Sequence, residues 1–105
     1  MTLFEKIIRK EVKAKIIYED NRVMAFKDIR PARPGHFLVV PKKFSTNLID
    51  IGSKDYQYLM DKARQLALET IKSMRVSGFN LIVNNGQPAG QEIMYTHVHI
   101  IPSLI

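Results

Sequence analysis

The spacing of hydrophobic residues along the chain follows two patterns, one typical of strands and one typical of a helix. Five short runs are continuously apolar or alternate every two residues, which is typical of strands. They cover residues 16–18, 23–26, 36–41, 79–83 and 96–101. Between the third and fourth runs, apolar residues recur with a near-helical period from Tyr56 to Met74, with Ser53 as a predicted N-cap and Ser77-Gly78 as a predicted stop. This stretch predicts a long amphipathic helix that packs on a sheet.

A second, short helix is predicted at the start of the chain. Phe4, Ile7 and Ile8 would share one face, and Thr2 is available as a cap. Two prolines predict a stiff loop over residues 29–35. We therefore expect an α+β fold, with a five-stranded, mainly antiparallel sheet and one long and one short helix. Because no repeat or linker interrupts residues 1–105, we expect them to form a single domain.

The composition narrows the classes of function. The 105 residues are 46% hydrophobic and 25% charged, as in an ordinary globular protein. The chain has no cysteine, which excludes disulfide scaffolds, thiolate metal sites and cysteine nucleophiles. No apolar run approaches the ~20 residues of a membrane helix, and the first residues do not resemble a secretory signal. We expect a soluble cytoplasmic protein without a membrane partner.

The net charge of +6 favours a phosphorylated or polyanionic partner. The basic residues are scattered, however, and aromatic residues are not interleaved with them as in a base-stacking platform. This distribution argues against nucleic acid as the partner and favours a solvated basic surface. A small RNA-binding protein stays an alternative, which predicts a steep salt dependence and no effect of His97→Ala.

The histidines are the main candidates for chemistry. Residues i and i+2 of a strand point to the same face about 6.8 Å apart. Tyr95, His97 and His99 would therefore line one face of the fifth strand, while Val98 and Ile100 point to the other. One imidazole on a strand is usually a structural residue, but two on one face beside a glycine-containing loop make a functional site an equal alternative.

Three kinds of site compete for this pair. A zinc site needs at least three protein ligands; His36 could supply the third, but no spacing supports it. A serine nucleophile has no G-x-S-x-G elbow in this sequence. The third option is a histidine nucleophile, because an imidazole with a pKa near 6.5 is mostly neutral at pH 7 and can attack phosphorus. Its other ring nitrogen must then be held by an acceptor, and a phosphate must be bound beside it.

A loop over residues 84–92 could bind that phosphate. Gly86 and Gly90 would allow backbone N–H groups to converge on an anion. Most loops of this composition are only turns. This loop is a candidate phosphate site because it ends just before His97. Glu92 would have to contribute its backbone or face away from the phosphate.

These segments resemble the histidine triad (HIT) family. Residues 84–86, 90–92 and 96–102 are similar to the family signature, in which three histidines alternate with apolar residues. The resemblance covers nearly the whole chain. Residues 4–11, 14–20, 25–29 and 34–43 look like the Hint branch of that family, the purine-nucleotide phosphoramidases.

The resemblance implies a two-step hydrolysis. His97 would attack the α-phosphorus of a purine nucleoside phosphoramidate and displace an amine, and water would then release the nucleoside monophosphate from the histidine. His99 and His36 would flank the phosphate and help with charge and proton transfer, and Asp28 would hold the ribose hydroxyls. The implied base slot is Phe4, Ile7, Phe26 and Ile29. The implied phosphate contacts are Asn84, Gly90, Gln91 and the backbone of Glu92. The resemblance also implies a homodimer, formed by a sheet edge and the long helix, and no cofactor.

The sequence departs from the family pattern in two ways. Tyr95 replaces the first histidine of the signature, and a phenol cannot carry an imidazolium charge, so we expect retained but altered activity. The Hint branch carries a further C-terminal segment beyond the position of Ile105, on the leaving-group side. Family members with structural zinc use an N-terminal cysteine pair, so we expect no metal here. The alternatives are a regulatory module that binds purine nucleotides with weakened turnover, and a dinucleoside polyphosphate hydrolase of another HIT branch.

Overall fold

A computed structural model describes residues 1–103. In chain order its elements are α1 (Leu3–Ile8), β1 (Ile16–Glu19), β2 (Val23–Lys27), β3 (Phe37–Pro41), α2 (Ser53–Met74), β4 (Gly78–Ile82), a single 3₁₀ turn (Gln87–Ala89) and β5 (Val98–Ser103). The strands form one sheet in the order β1-β2-β3-β5-β4, and every neighbouring pair is antiparallel. The predicted α+β class, strand number and helix pair are confirmed. None of the helices in residues 1–103 has the length and apolar character needed to cross a membrane.

The two helices lie on opposite faces of the sheet. Side chains alternate between the faces, so Ala25 of β2 packs towards α2, while Phe26 packs towards α1. The apolar stripe of α2 is buried on the first face, and its buried members are Leu59, Ala63, Leu66 and Ala67. Each leucine there contributes roughly 1.5–3 kcal/mol by leaving water. Helix α1 is shorter and covers only part of the other face.

One row of side chains crosses the α1 face of the sheet. Phe26 pairs with Leu38 on β3, and Leu38 pairs with His99 on β5. Because cross-strand neighbours have Cβ atoms about 4.5–5.5 Å apart, this register places an aromatic ring, an aliphatic side chain and an imidazole next to one another. The row forms the floor of the site described below.

The helix ends differ in part from the prediction. Thr2 caps α1 as expected, in a reciprocal pair: its side chain accepts from the Glu5 amide, and Glu5 accepts from the Thr2 amide at 2.7 Å. The N-cap of α2 is Gly52, and Ser53 is the first helical residue, so the predicted cap was wrong by one position. The helix also ends before the predicted stop at Ser77-Gly78. Arg75 takes a left-handed conformation with φ 57° there, which breaks the helical hydrogen bonding.

Strand β5 begins at Val98, two residues later than predicted. The preceding segment is held instead by the loop after β3. The Thr96 amide donates to the Ser45 carbonyl at 2.9 Å, and the two hydroxyls lie 2.6 Å apart. Tyr95 and His97 therefore sit just outside the ladder, where the Tyr95 carbonyl is available to a side chain.

Candidate active site

A cavity of about 560 Å³ opens on the α1 face of the sheet. Its walls come from α1, the ends of β2 and β3, residues 84–93 and the two histidines near β5. Of the thirteen residues predicted for the site, all line the cavity except Gln91 and Tyr95. Those present are Phe4, Ile7, Phe26, Asp28, Ile29, His36, Asn84, Gly90, Glu92, His97 and His99. The fold thus brings distant parts of the sequence to one place.

His97 has a defined proton position. Its Nδ1 lies 2.7 Å from the Tyr95 carbonyl oxygen, and since a carbonyl can only accept, the ring proton must be on Nδ1. The lone pair is then on Nε2, which no residue in the described part of the chain hydrogen-bonds. Burial lowers the pKa of His97, although the bond to Tyr95 and the Asp28 charge oppose it. The ring is therefore neutral at pH 7, as a nucleophile requires.

The aromatic neighbours of His97 fix its ring. The Phe4 ring lies edge-on at a centroid distance of 5.0 Å, and His99 lies edge-on at 4.9 Å. Phe4 in turn packs against Phe26 at 5.6 Å. The same helix that closes the apolar end of the cavity therefore also holds the imidazole in place.

His36, His99 and Asp28 form a second group in the cavity. His36 Nε2 lies 3.0 Å from His99 Nδ1 and 3.4 Å from Asp28 Oδ2. Burial lowers the pKa of His99 to about 4, aided by the charges of His97 and His36. Burial also lowers the pKa of His36, against an opposing effect of Asp28. Both rings are neutral at pH 7.

These three side chains are also the candidate metal ligands. One ligand atom from each lies within 4.8 Å of the others, and two histidines with a carboxylate are a donor set that zinc accepts. The two imidazoles are also close enough for a direct hydrogen bond, at 3.0 Å, whereas Asp28 lies farther away, at 3.4 Å from His36 Nε2. A metal bound to this group would need a ring-nitrogen lone pair from each histidine.

Tyr95 does not face the cavity. Its ring packs between Phe4, at 6.2 Å, and Phe44, at 5.4 Å, and its hydroxyl donates to the carbonyls of Pro41 and Lys42. Burial raises the pKa of this phenol further above its usual value, and the Glu5 charge adds to the rise. The expected effect of Tyr95 on activity stays a prediction. The fold keeps its phenol out of the cavity, and only its backbone carbonyl hydrogen-bonds His97.

Gln91 was expected to hold the phosphate, but its side chain is fully hydrogen-bonded to residues of its own loop and of the segment after β3. Its Oε1 accepts from Asn47 Nδ2 and from the Gly86 amide, and its Nε2 donates to the carbonyls of Thr46 and Ile93. A carboxamide has two donors and an acceptor oxygen with two lone pairs, so no capacity remains for a ligand. Gln91 braces the loop rather than lining the cavity.

The backbone of the loop also differs from the expected anion nest. The amides of Gly86, Gly90 and Gln91 all donate to partners inside the loop. Gly86 and Gly90 have φ of +94° and +93°, so glycine is needed for the tight turn rather than for anion binding. Glu92 keeps an amide that no described residue accepts, and the Asn84 carboxamide packs beside Gly90. Both are polar donors that this wall of the cavity can offer to a ligand.

Several wall residues carry no clear sequence signal for a site. Three are cations: Lys13, Lys27 and Arg30. Nothing in the pattern separates them from solvated surface charge. Leu38 is different, because its place opposite Phe26 follows from the alternation of two neighbouring strands. The strand pairing, had it been predicted, would have found it.

Comparisons with known proteins identify the family of this chain. The HIT domain family model matches residues 9–104. A HIT-like protein of Mesomycoplasma hyorhinis is 52% identical over 100 residues, which cover 95% of this chain and 90% of that protein.

Among solved structures, a HIT-like protein of Bartonella henselae described as involved in cell-cycle regulation superposes with a TM-score of 0.95 at 35% identity, covering 98% of this chain and 80% of that one. A HIT family hydrolase of Clostridium thermocellum gives a TM-score of 0.85 at 36% identity, covering 97% of this chain and 90% of that one. The family match, the sequence identity and the fold agree, and the chain belongs to the HIT family.

Proposed function

We propose that this protein hydrolyses the P–N bond of purine nucleoside 5′-phosphoramidates through a nucleotidyl-histidine intermediate at His97. The observation that carries the proposal is the proton position on that ring. The Tyr95 carbonyl holds the proton on Nδ1, so Nε2 presents a lone pair to a cavity. The similarity to a HIT family hydrolase supports hydrolytic chemistry.

In the first step, the Nε2 lone pair of His97 forms a bond to the α-phosphorus while the P–N bond breaks. The amine leaves with one added proton. In the second step, water forms a P–O bond, the bond from phosphorus to Nε2 breaks, and one proton is released. The two protons balance, and the products are the amine and the nucleoside monophosphate. The imidazole keeps its Nδ1 proton on the Tyr95 carbonyl throughout, which stabilises the positive charge of the phosphorylated ring.

The rest of the cavity suits the remaining parts of such a substrate. Its volume lies within the ~300–1,000 Å³ range of small-molecule sites. The apolar end fits a purine, and its walls are Phe4, Ile7, Phe26 and Ile29. Ile29 is 81% exposed, so it would cover the base from the rim. Asp28 would accept from the ribose hydroxyls, and Asn84 with the Glu92 amide would bind the phosphate oxygens.

The assembly and location belong to the same proposal. The sheet order leaves β1 and β4 as edges, and an edge together with α2 would join two copies into a homodimer. The absence of cysteine supports a cytoplasmic location. The proposed reaction requires no metal, since neutral histidines and backbone donors supply its charge stabilisation.

A fluorogenic adenosine phosphoramidate tests the activity. The wild-type protein should release the fluorophore, and an acid-quenched sample should carry one added adenylyl mass. His97→Ala should lose both signals. His99→Gln retains the nucleophile and should still become adenylated, at a lower rate. Binding of adenosine monophosphate without turnover would contradict the proposal and favour the regulatory module.

One observation favours a second candidate. Lys13, Lys27 and Arg30 on the cavity wall would suit a substrate with more than one phosphate. A dinucleoside polyphosphate is such a substrate. Competition between adenosine phosphoramidate and diadenosine polyphosphate at equal concentrations separates the two, since the preferred substrate is consumed first.

A further inference from the structure

The loop between β2 and β3 places a backbone amide on a cavity histidine. The N–H of Ala32 donates to Nδ1 of His36 at 2.9 Å. A backbone amide can only donate, so Nδ1 of His36 must carry its lone pair. In the neutral ring the proton is then on Nε2. This contact joins an exposed, proline-containing loop to the chemistry of the site.

The proton positions of the next ring follow from the first. His36 Nε2–H faces His99 Nδ1 at 3.0 Å, so Nδ1 of His99 is the acceptor. The remaining proton of His99 is therefore on Nε2, its only other ring nitrogen. No described residue hydrogen-bonds that atom, and His99 lines the cavity.

We propose that the backbone N–H of Ala32 is a positioning group that orders the protons of His36 and His99, so that His99 presents an N–H to the phosphate while His97 presents a lone pair. This inference rests on the proposed function for its catalytic meaning. Two neighbouring imidazoles, 4.9 Å apart between centroids, thereby have opposite polarity. Only His97 can act as the nucleophile, and His99 binds a phosphate oxygen as a donor.

The same order argues against a metal on Asp28, His36 and His99. A metal bound to Nε2 of His36 needs the lone pair on that atom. The proton would have to move to Nδ1, where it would face the Ala32 N–H. Metal binding would therefore cost the loop its hydrogen bond, and the group is better explained as a proton-ordered chain.

The direct test is the histidine side-chain ¹⁵N spectrum of the wild-type protein near pH 7.5, without substrate. We expect a pyrrole-type Nδ1 for His97 and a pyrrole-type Nε2 for both His36 and His99, with assignments from His36→Asn and His99→Gln. A pyrrole-type Nδ1 on His36 or on His99 would overturn the inference. The spectrum needs no activity, so it also separates the two proposals. Correct proton positions with no P–N hydrolysis would defeat only the proposed function, and hydrolysis with the wrong positions would defeat only the inference.

A matched pair of variants tests the role of the amide itself. Ala32→Pro removes the N–H in a loop that already contains Pro31 and Pro34, whereas Ala32→Gly keeps it. We expect Ala32→Pro to give a mixture of His36 protonation sites and to lower kcat about tenfold, with Ala32→Gly retaining the wild-type spectrum. Equal spectra for the two variants would contradict the inference. If Ala32→Pro does not fold, the wild-type spectrum decides the question.

The pH profile gives an independent readout. Without the Ala32 N–H, His36 can take a proton on Nδ1, and its free Nε2 can then accept from a protonated His99. The pKa of the pair should rise, so the side-chain ¹⁵N shifts of His36 and His99 should titrate at higher pH in Ala32→Pro than in Ala32→Gly. The charged and titratable groups that share the cavity are Lys13, Lys27, Asp28, Arg30, Glu92 and His97, and both variants leave them unchanged. An unshifted titration of His36 and His99 in a folded Ala32→Pro protein would count against the inference.

Discussion

Two polar clusters lie on opposite faces of the same sheet, and they use their hydrogen bonds differently. On the α2 face, the Asp20 carboxylate accepts from the hydroxyls of Tyr18 and Tyr58 and from the amides of Arg22 and Val23. On the α1 face, His97 and His99 each keep one ring nitrogen without a partner in residues 1–103. The first cluster is closed and joins the β1–β2 hairpin to α2. The second is open towards a cavity.

The two clusters also shift pKa values for different reasons. Burial alone raises the pKa of Asp20, but the hydrogen bonds from Tyr58, two amides and Tyr18 outweigh it and hold that pKa well below its usual range. For the histidines, burial is the main cause and lowers each pKa. A satisfied charge stabilises the fold, whereas a buried neutral imidazole keeps its lone pair for chemistry. The comparison predicts that stability and activity can be changed separately.

The largest effect is expected at the open cluster. His97→Ala should lower kcat/KM for adenosine phosphoramidate by roughly 10³-fold or more. The melting temperature should fall only modestly, because the ring loses one hydrogen bond and its contacts with Phe4 and His99 but already borders an open cavity. A steady-state assay and a thermal melt on the same sample measure both. A collapse in melting temperature with residual activity would reverse the assignment of the two clusters.

A change in the closed cluster should lower stability and leave activity unchanged. Asp20→Asn exchanges an oxygen acceptor for an NH₂ that faces hydroxyl or amide donors, so the free energy of unfolding should fall by about 2 kcal/mol. The kcat/KM of the folded protein should stay within twofold. Urea unfolding of this variant against Asp61→Asn, an exposed aspartate on α2, provides the control. Equal stability of the two variants would show that the Asp20 network contributes nothing.

The two clusters should affect the free energy of unfolding in separate pH ranges. The pKa of each histidine is lower in the folded protein than in the unfolded chain, so the unfolded state binds the proton first. The histidines therefore stabilise the fold fully above about pH 6.5, and this contribution is lost as the pH falls towards 4, the value for His99. The Asp20 contribution is lost only below about pH 4.

Urea unfolding at several pH values measures these windows. His99→Gln should reduce the pH dependence of the free energy of unfolding between about pH 6.5 and 4 and leave it unchanged below about pH 4. Asp20→Asn should reduce it below about pH 4 and leave it unchanged above. A His99→Gln protein with the wild-type slope between pH 6.5 and 4 would contradict this division.

A smaller effect is expected in the loop that serves the open cluster. Gly90→Ala forces a side chain into φ +93°, which costs about 1–2 kcal/mol, and the strain should also lower kcat because Asn84 packs beside it. Gly78→Ala is the control, since nothing lies within 4 Å of its added Cβ. Equal melting temperatures for the two variants would show that the loop relaxes freely.

The smallest effect lies outside both clusters. Arg75→Gly relieves a left-handed residue at the end of α2 and should raise the free energy of unfolding by about 0.5–1 kcal/mol. Arg64→Gly, in the exposed middle of the same helix, should lower it by about 1 kcal/mol. Activity should be unchanged in both, so the pair measures backbone effects alone. A change of the same sign in the free energy of unfolding for both variants would show that the left-handed conformation of Arg75 carries no cost.

The sequence was informative where a pattern repeats or a motif is local. The apolar runs of β2 and β3 and the long period of α2 predicted a sheet with a helix packed on it, and the spacing of His97 and His99 predicted a shared face. Asp28 and Ile29 entered the site only through the family resemblance, because one acidic and one apolar residue carry no periodic signal. The match to the HIT domain model agrees with the α+β fold that this resemblance implied.

Contacts between distant loops could not be predicted. Gln91 lies next to Glu92 in sequence, yet it turns inward because Asn47 and Thr46, far along the chain, complete its hydrogen bonds. Ala32 has no functional side chain, so its role is visible only from where its amide points. Both depend on tertiary geometry rather than on residue type.

The hydrogen bond from His97 to the Tyr95 carbonyl has a consequence for how such sites diverge. A peptide oxygen is the same atom whatever side chain its residue carries, so mutation at that codon leaves the acceptor intact. Position 95 can then carry a different side chain, provided that the new group is uncharged and still packs in the buried space beneath α1. A search pattern that insists on three imidazoles would pass over proteins whose proton placement is unaltered.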